Sequence, residues 1–205
     1  SLIIIMRKYK KRYKKNTKSI NKRLAALENQ TTFPTGRIDA TVNGAISYAP
    51  TVTVLNTVPS GELYNERQSL HQKNMWMQFR VGLIAGDSTN FIRHIVFQWM
   101  DDSIPSSATV LQDTGTTISP LSPINYQDGR SKFSILHDKL YCVDTDGVVD
   151  KVFLDFKKGR NTQYDGALAS NEIRGAFYSL VVSDSSAATH PNVKIYYRTA
   201  FIRDN

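Results

Sequence analysis

The chain has 205 residues, 26 Lys and Arg against 18 Asp and Glu for a formal net charge of +8, and one cysteine. That length holds one domain, or one domain with a tail. The lone Cys142 excludes an intrachain disulfide framework and reads as a small core residue, and no apolar run is long enough to span a bilayer.

The chain opens on a short apolar run, Ser1–Ile5. Charges follow this run, whereas a signal peptide carries them in front. Met6 is a candidate start, which would leave Ser1–Ile5 outside the native product. Residues 6–15, MRKYKKRYKK, then place Arg7, Lys8, Lys10, Lys11, Arg12, Lys14 and Lys15 around Tyr9 and Tyr13. With Lys18, Lys22 and Arg23, residues 1–30 hold ten basic side chains and a single acid, Glu28. A tail of +9 therefore precedes a body of −1. A run of like charge repels itself and buries no core, so it is solvated or neutralised by an anionic partner. Nucleic acid is the first such partner, through phosphate contacts that release counterions. A membrane surface and a plain solvated tail, serving as a nuclear address, are the alternatives. Tyr9 and Tyr13 either stack on unpaired bases or simply space the charges.

Residues 17–28 change character. Ile20, Leu24 and Leu27 fall on one helical stripe with Lys18, Lys22 and Arg23 away from it, which predicts an α-helix over about 17–28. Three turns are marginal alone in water. The stripe needs a partner, either the chain's own body or the same helix from neighbouring copies. Asn29-Gln30-Thr31 matches a glycosylation sequon and reads as accidental without a secretory signal.

From residue 31 to 205 the texture is β, giving one β domain behind a basic arm of 1–30. Strands are predicted at 51–58, 74–86, 91–100, 132–143, 150–158, 175–184 and 192–202, with weaker candidates at 38–47 and 107–112. In 74–86 the alternation sets Met75, Met77, Phe79, Val81 and Leu83 on one face. In 91–100 it sets Phe91, Ile95, Phe97 and Trp99 together, with Arg93 breaking the pattern. In 132–143 Phe133 and Ile135 slip phase to Leu136, Leu140 and Cys142, which predicts a bulge near His137. Helical patterns between strands are absent, which argues against a parallel βαβ sheet. Seven to nine antiparallel strands with long connections at 101–130 and 159–174 fit an all-β, single antiparallel jelly-roll sandwich.

Signals for catalysis are few. His71, His94, His137 and His190 lack metal-ligand spacing, and no nucleophile elbow or phosphate-cradling glycine loop occurs. The expectation is that the protein is not an enzyme and needs no cofactor. His94 reads as a core or interface histidine, and His137 with Asp138 as a hydrogen-bonded strand-end pair. Asp101, Asp102, Asp144, Asp146 and Asp204 are weak candidates for oxygen ligands of a structural calcium, with solvated turn acids the simpler reading.

Several stretches taken in order carry a resemblance. These are GELYNERQSLHQKNMWMQFRVGL with Gly61, Asn65 and Arg67, then IVFQWMDD, KFSILHDKLYCVD with Leu136, Asp138 and Lys139, and DKVFLDF. The last is a closing run through Ser183-Asp184 to Phe201-Ile202-Arg203-Asp204. Together they resemble the jelly-roll capsid proteins of small circular single-stranded DNA viruses, and are similar to the coat protein of satellite tobacco necrosis virus. Residues 68–72 depart from the pattern by lacking a glycine after Arg67. The resemblance implies a capsid protein that self-assembles into the simplest icosahedral shell and packages single-stranded nucleic acid, DNA in preference to RNA, on its inward arm. It implies residence in the virion and passage through the host nucleus, without naming a receptor. About 60 copies would bring roughly 600 arm charges, enough to balance a genome on the order of a thousand nucleotides. It also implies the helix 17–28 in contact with symmetry mates; loops 112–129 and 159–174, long for a compact monomer, are expected at subunit contacts of such a shell. The alternative is a monomeric β-sandwich that binds carbohydrate or nucleic acid and carries a basic tail.

Overall fold

The structure is a computed structural model that describes residues 36–113, 118–129, 131–166, 172–186 and 189–203. The basic arm, the predicted helix at 17–28 and Asp204 lie outside the described residues.

Nine strands follow in order: β1 (Gly36–Ala45), β2 (Thr51–Val54), β3 (His71–Ile84), β4 (Thr89–Trp99), β5 (Phe133–Asp144), β6 (Val148–Tyr164), β7 (Glu172–Arg174), β8 (Phe177–Ser183) and β9 (Asn192–Ile202). They form two sheets of order β1-β9-β3-β6-β7 and β2-β8-β4-β5, with every strand pair antiparallel. The chain crosses between sheets from β1 to β2, β2 to β3, β3 to β4, β5 to β6, β7 to β8 and β8 to β9. Apart from the three-residue β7 at an edge, this is an eight-strand double Greek key, a jelly roll.

Alternation builds the interior. Met77, Phe79, Val81 and Leu83 of β3, Val193, Ile195 and Tyr197 of β9, and Ile92 and Val96 of β4 meet between the sheets in one core. β4 and β8 are buried on both faces, because a second cluster lies outside the four-stranded sheet. There Ile95, Phe97, Trp99, Phe133, Leu180 and Val182 are covered by Val110, Leu111, Ile118 and Ile124. The long connection after β4 supplies that cover. Within it a short helix, α1 (Ser107–Val110), starts where the Ser106 side chain accepts a hydrogen bond from Thr109 N. Leu111 bridges back to Ile124 ahead of α2 (Tyr126–Gly129). The weak strand expected at 107–112 is thus a capped helical turn, and Val110, Leu111, Ile118 and Ile124 of this connection cover its own sheet.

Four further expectations change. The strand at 51–58 stops at Val54, after which Leu55 and Asn56 bond to β8 as single contacts. The connection at 159–174 is mostly strand, since β6 runs to Tyr164 and β7 follows. Against β9 the register of β3 shifts between Asn74 and Trp76, so Met75 is the extra residue of a bulge and Asn74 and Gln72 turn inward. The bulge in β5 is found where it was expected: Val96 pairs with His137 and Phe97 with Ile135, leaving Leu136 as the extra residue. It carries Leu140 and Cys142 onto the face of Phe133 and Ile135, but the cover ends before them. Leu140 is 41% exposed and Cys142 is exposed, so neither is a core residue. Tyr141 and Val143 fill the interior instead. Gly147 closes the β5–β6 turn at φ +71°, and a Cβ there would stand 2.8 Å from Leu83 O.

Candidate nucleic-acid interface

The arm residues Arg7, Lys8, Lys10, Lys11, Arg12, Lys14, Lys15, Lys18, Lys22, Arg23, Tyr9 and Tyr13, and the stripe Ile20, Leu24 and Leu27, fall outside the described residues. What the body presents is a basic cleft, a buried polar cluster behind it, and two sets of titratable groups with structural partners.

The cleft encloses about 750 Å³ where β6 passes β7, lined by His71, Lys157, Lys158, Arg160 and Arg174, with Asp155 the acidic side chain on its wall. Sequence periodicity missed it because KKGRNTQ reads as a polar loop. Gly159, at φ +72°, lies in the stretch 156–159 that bulges out of the ladder with β3, and pairing resumes at Arg160 opposite Asn74. Arg160 Nη1 donates to Gln98 Oε1 at 2.9 Å, with its guanidinium 5.6 Å from the Phe156 ring centre. Burial lowers its pKa from the usual arginine range. Arg174 Nε donates to Met100 O at 2.6 Å. Both arginines are therefore held in place by neutral acceptors, which leaves their charge for an anion.

Behind the cleft lies a polar cluster between the sheets. Asn56, Gln72, Asn74, Gln98 and Thr162 are all buried. Gln72 Nε2 donates to Asn74 Oδ1, Asn74 Nδ2 and Asn56 Nδ2 donate to Thr162 Oγ1, each at 2.9 Å, and Thr162 Oγ1 donates to Gly175 O at 2.8 Å. Gln98 Nε2 closes the set on Gly175 O at 3.0 Å. Buried amides satisfied in this way fix one geometry for the cleft wall.

Arg67, singled out with Gly61 and Asn65, is buried and structural. Its Nε donates to Val58 O at 2.9 Å, Nη1 to Ser69 O at 3.0 Å and Nη2 to Gly166 O, and its guanidinium lies 4.2 Å over the Tyr164 ring. Gly61 N donates to Arg67 O, so the loop folds around this residue without the glycine missing from 68–72.

His94 is a core histidine, fully buried, with Nε2 2.7 Å from Tyr197 Oη and its ring 5.4 Å from that of His137. Burial, with His137 beside it, lowers its pKa to about 3. His137 and Asp138 do not bond to each other as a strand-end pair. The bulge turns His137 inward, and Asp138 pairs outward with Arg93 through two bonds of 2.7 Å. Arg93, which broke the apolar pattern of β4, also donates to Pro120 O at 3.2 Å and so tethers the covering segment. The Asp101 carboxylate accepts from Asp102 N and from Ser103 Oγ, and lies 3.5 Å from Lys132 Nζ. These contacts hold its pKa below the usual carboxylate value, the Asp102 amide most of all. Asp144 Oδ1 caps the turn at Asp146 N. Among the described residues no three metal-ligating side chains cluster, and no helix is long and apolar enough to cross a membrane.

No family model matches this chain, and no curated protein does. Among solved structures it is similar to tomato aspermy virus, at 11% identity over 92% of this chain and 96% of that one with a TM-score of 0.39. It is similar to the decameric BFDV capsid protein, at 12% identity over 80% and 94% with a TM-score of 0.40. It is likewise similar to the 60-mer of the BFDV capsid protein, at 9% identity over 84% and 98% with a TM-score of 0.37.

Proposed function

We propose that this chain is the shell protein of a small virus. About 60 copies close an icosahedral shell, and the basic arm of residues 1–30 faces inward onto a packaged single-stranded genome, DNA in preference to RNA. The observation that carries the reading is a partition of roles along one chain. An eight-strand jelly roll follows a segment that holds ten of the 26 basic residues, while the remainder is nearly neutral. A body of charge −1 has little general attraction for phosphate, so the arm supplies the sequence-independent affinity that packaging needs. In this reading the virion is the protein's destination, the arm doubles as a nuclear address, and no chemical step is assigned to any residue.

Deleting residues 6–15 tests the arm. Particles of the deletion variant should keep β-sheet circular dichroism and lose most of their nucleic acid per subunit, read as the ratio of absorbance at 260 and 280 nm. An unchanged ratio would show that another element holds the genome. The stripe gives a second test. Leu24→Asp should impair assembly or lower particle melting while the isolated subunit keeps its sheet signal; normal particles with unchanged melting would rule out helix packing between symmetry mates.

A further inference from the structure

We propose that the outer face of the five-stranded sheet is a stacking platform for single-stranded nucleic acid. Bases would lie on Trp76, Phe153 and Tyr196, and phosphates on Arg80, Lys151 and Lys194. This rests on the reading that the chain binds a genome, and it adds to the arm a second surface built from the folded body.

The register sets the platform out in rows across four strands. One row reads Thr41, Tyr196, Arg80, Lys151; the next Asp39, Arg198, Gln78, Phe153; the next Arg37, Ala200, Trp76, Asp155. These positions alternate with the buried Met77, Phe79, Val81, Ile195 and Tyr197, so their side chains leave the opposite side of the sheet. The outward positions of a half-buried sheet are ordinarily polar. Here Phe153 is 57% and Tyr196 50% exposed, and Trp76 meets Phe153 with ring centroids 5.8 Å apart. With strands about 4.8 Å apart and rows about 6.8 Å apart, Tyr196 and Trp76 stand roughly 14 Å from each other. Between the aromatic positions lies a hollow of about 320 Å³ lined by Asp39, Thr41, Gln78, Arg80, Tyr196 and Arg198. Its amide, carboxylate and guanidinium groups can donate to and accept from a base edge.

Charge selects the occupant. Arg198 is tied to Asp39 by two bonds of 2.8 and 2.9 Å. Arg37, Arg80, Lys151 and Lys194 then stand against Asp155 alone in these rows and the one beside them, where Lys194 Nζ lies 5.4 Å from the Tyr196 ring centre. The exposed rings of Phe153 and Tyr196, with the half-buried Trp76 beside Phe153, are interleaved with cations and suit unpaired bases and their backbone, because every base has a π-face. Val149 and Ile84 are exposed at one end of this face, and elsewhere its rows offer a protein partner uncompensated cations in place of aliphatic contacts.

The chain has two tryptophans, and Trp99 is 2% exposed and stacked on Phe133, so a fluorescence change on binding reports Trp76. The full chain, freed of nucleic acid, is titrated with an oligothymidylate while emission and the anisotropy of a labelled strand are followed. Emission should be quenched, and the quench should persist at about 0.5 M NaCl, where phosphate contacts weaken. Trp76→Phe should abolish the quench without loss of circular dichroism. Replacing Trp76, Phe153 and Tyr196 together by Ala should weaken binding at that salt at least tenfold. Neutralising the arm lysines and arginines to Gln should lower affinity at low salt and leave the quench at saturation. Anisotropy that saturates with unchanged emission and unchanged affinity in the triple variant would overturn the platform and spare the arm. A quench with no effect of arm neutralisation would do the reverse. An assembled particle in which a neighbouring subunit covers Trp76 and Tyr196 would also overturn it.

Discussion

Replacing Arg67 by Ala should destabilise the folded body by about 3 kcal/mol or more. A hydrogen bond from a charged donor contributes on the order of 1.5–3 kcal/mol, and a buried acceptor left unpaired adds a desolvation cost. Arg67 is 2% exposed and donates to Val58 O, Ser69 O and Gly166 O from three different nitrogens. Its backbone is also engaged, since Arg67 N donates to Pro59 O and Arg67 O accepts from Gly61 N. One side chain therefore joins the loop before β3 to the end of β6, stacked on a Tyr164 ring whose hydroxyl reaches Asn56 O at 2.7 Å and Gln72 Oε1 at 2.9 Å. Lysine cannot replace the fork, because its ammonium is a point charge with no planar spread of donors. Chemical denaturation should place Arg67→Lys close to Arg67→Ala and well below the parent chain. A lysine variant as stable as the parent would show that charge, and not the three-carbonyl geometry, is what this position requires.

Acid should loosen the same body from inside. The His94 pKa is lowered to about 3 by burial, and His137 is lowered too, chiefly by burial, with Asp150 pulling the other way. The His94 ring stays neutral when folded and takes up a proton when unfolded, and the lowered His137 shifts stability in the same direction. The unfolded chain then binds more protons below its histidine pKa of about 6.5, so stability falls as pH falls from there toward 3. At about pH 5 the His94 contribution alone is a loss of about 2 kcal/mol relative to neutral pH. His94 has few ways to accept a charge in place: it faces Tyr197, Phe79 and His137, and its Nδ1 has no hydrogen-bond partner. Asp150, held below the usual carboxylate range chiefly by Lys139 and bonded also to Tyr141, extends the loss to lower pH, below about 4. Urea midpoints at pH 7 and pH 5 and constant protein concentration should differ in the parent chain and differ much less in His94→Phe. Equal midpoints in the parent would contradict a neutral buried His94.

How far the sequence discloses this molecule depends on whether a feature is written in apolar spacing. The β5 bulge is legible because the apolar set itself slips from Phe133 and Ile135 to Leu140 and Cys142. The β3 bulge is hidden because the extra residue, Met75, is apolar and prolongs the alternation, while the residues that turn inward, Gln72 and Asn74, are amides. Apolar periodicity has no term for buried amides, so the cluster of Asn56, Gln72, Asn74, Gln98 and Thr162, and with it the strand character of 159–164, escapes it. Leu140 and Cys142 look like core residues because spacing gives the face and not the extent of its cover. The same limit explains the sheet surface. Phe153 and Tyr196 stand at outward positions beside the apolar Leu154 and Tyr197, and only strand register shows that they and Trp76 share one face with Arg80 and Lys151. The basic arm, by contrast, is legible as composition, because charge needs no fold to be counted.

Electron cryo-microscopy of the purified full chain, with sequencing of any nuclease-protected nucleic acid, tests the shell reading most directly. Closed particles of about 60 copies that protect a single-stranded genome, DNA by this reading, are the predicted outcome. One small species at every salt concentration, protecting no nucleic acid, would contradict it and leave a monomeric β-sandwich with a basic tail.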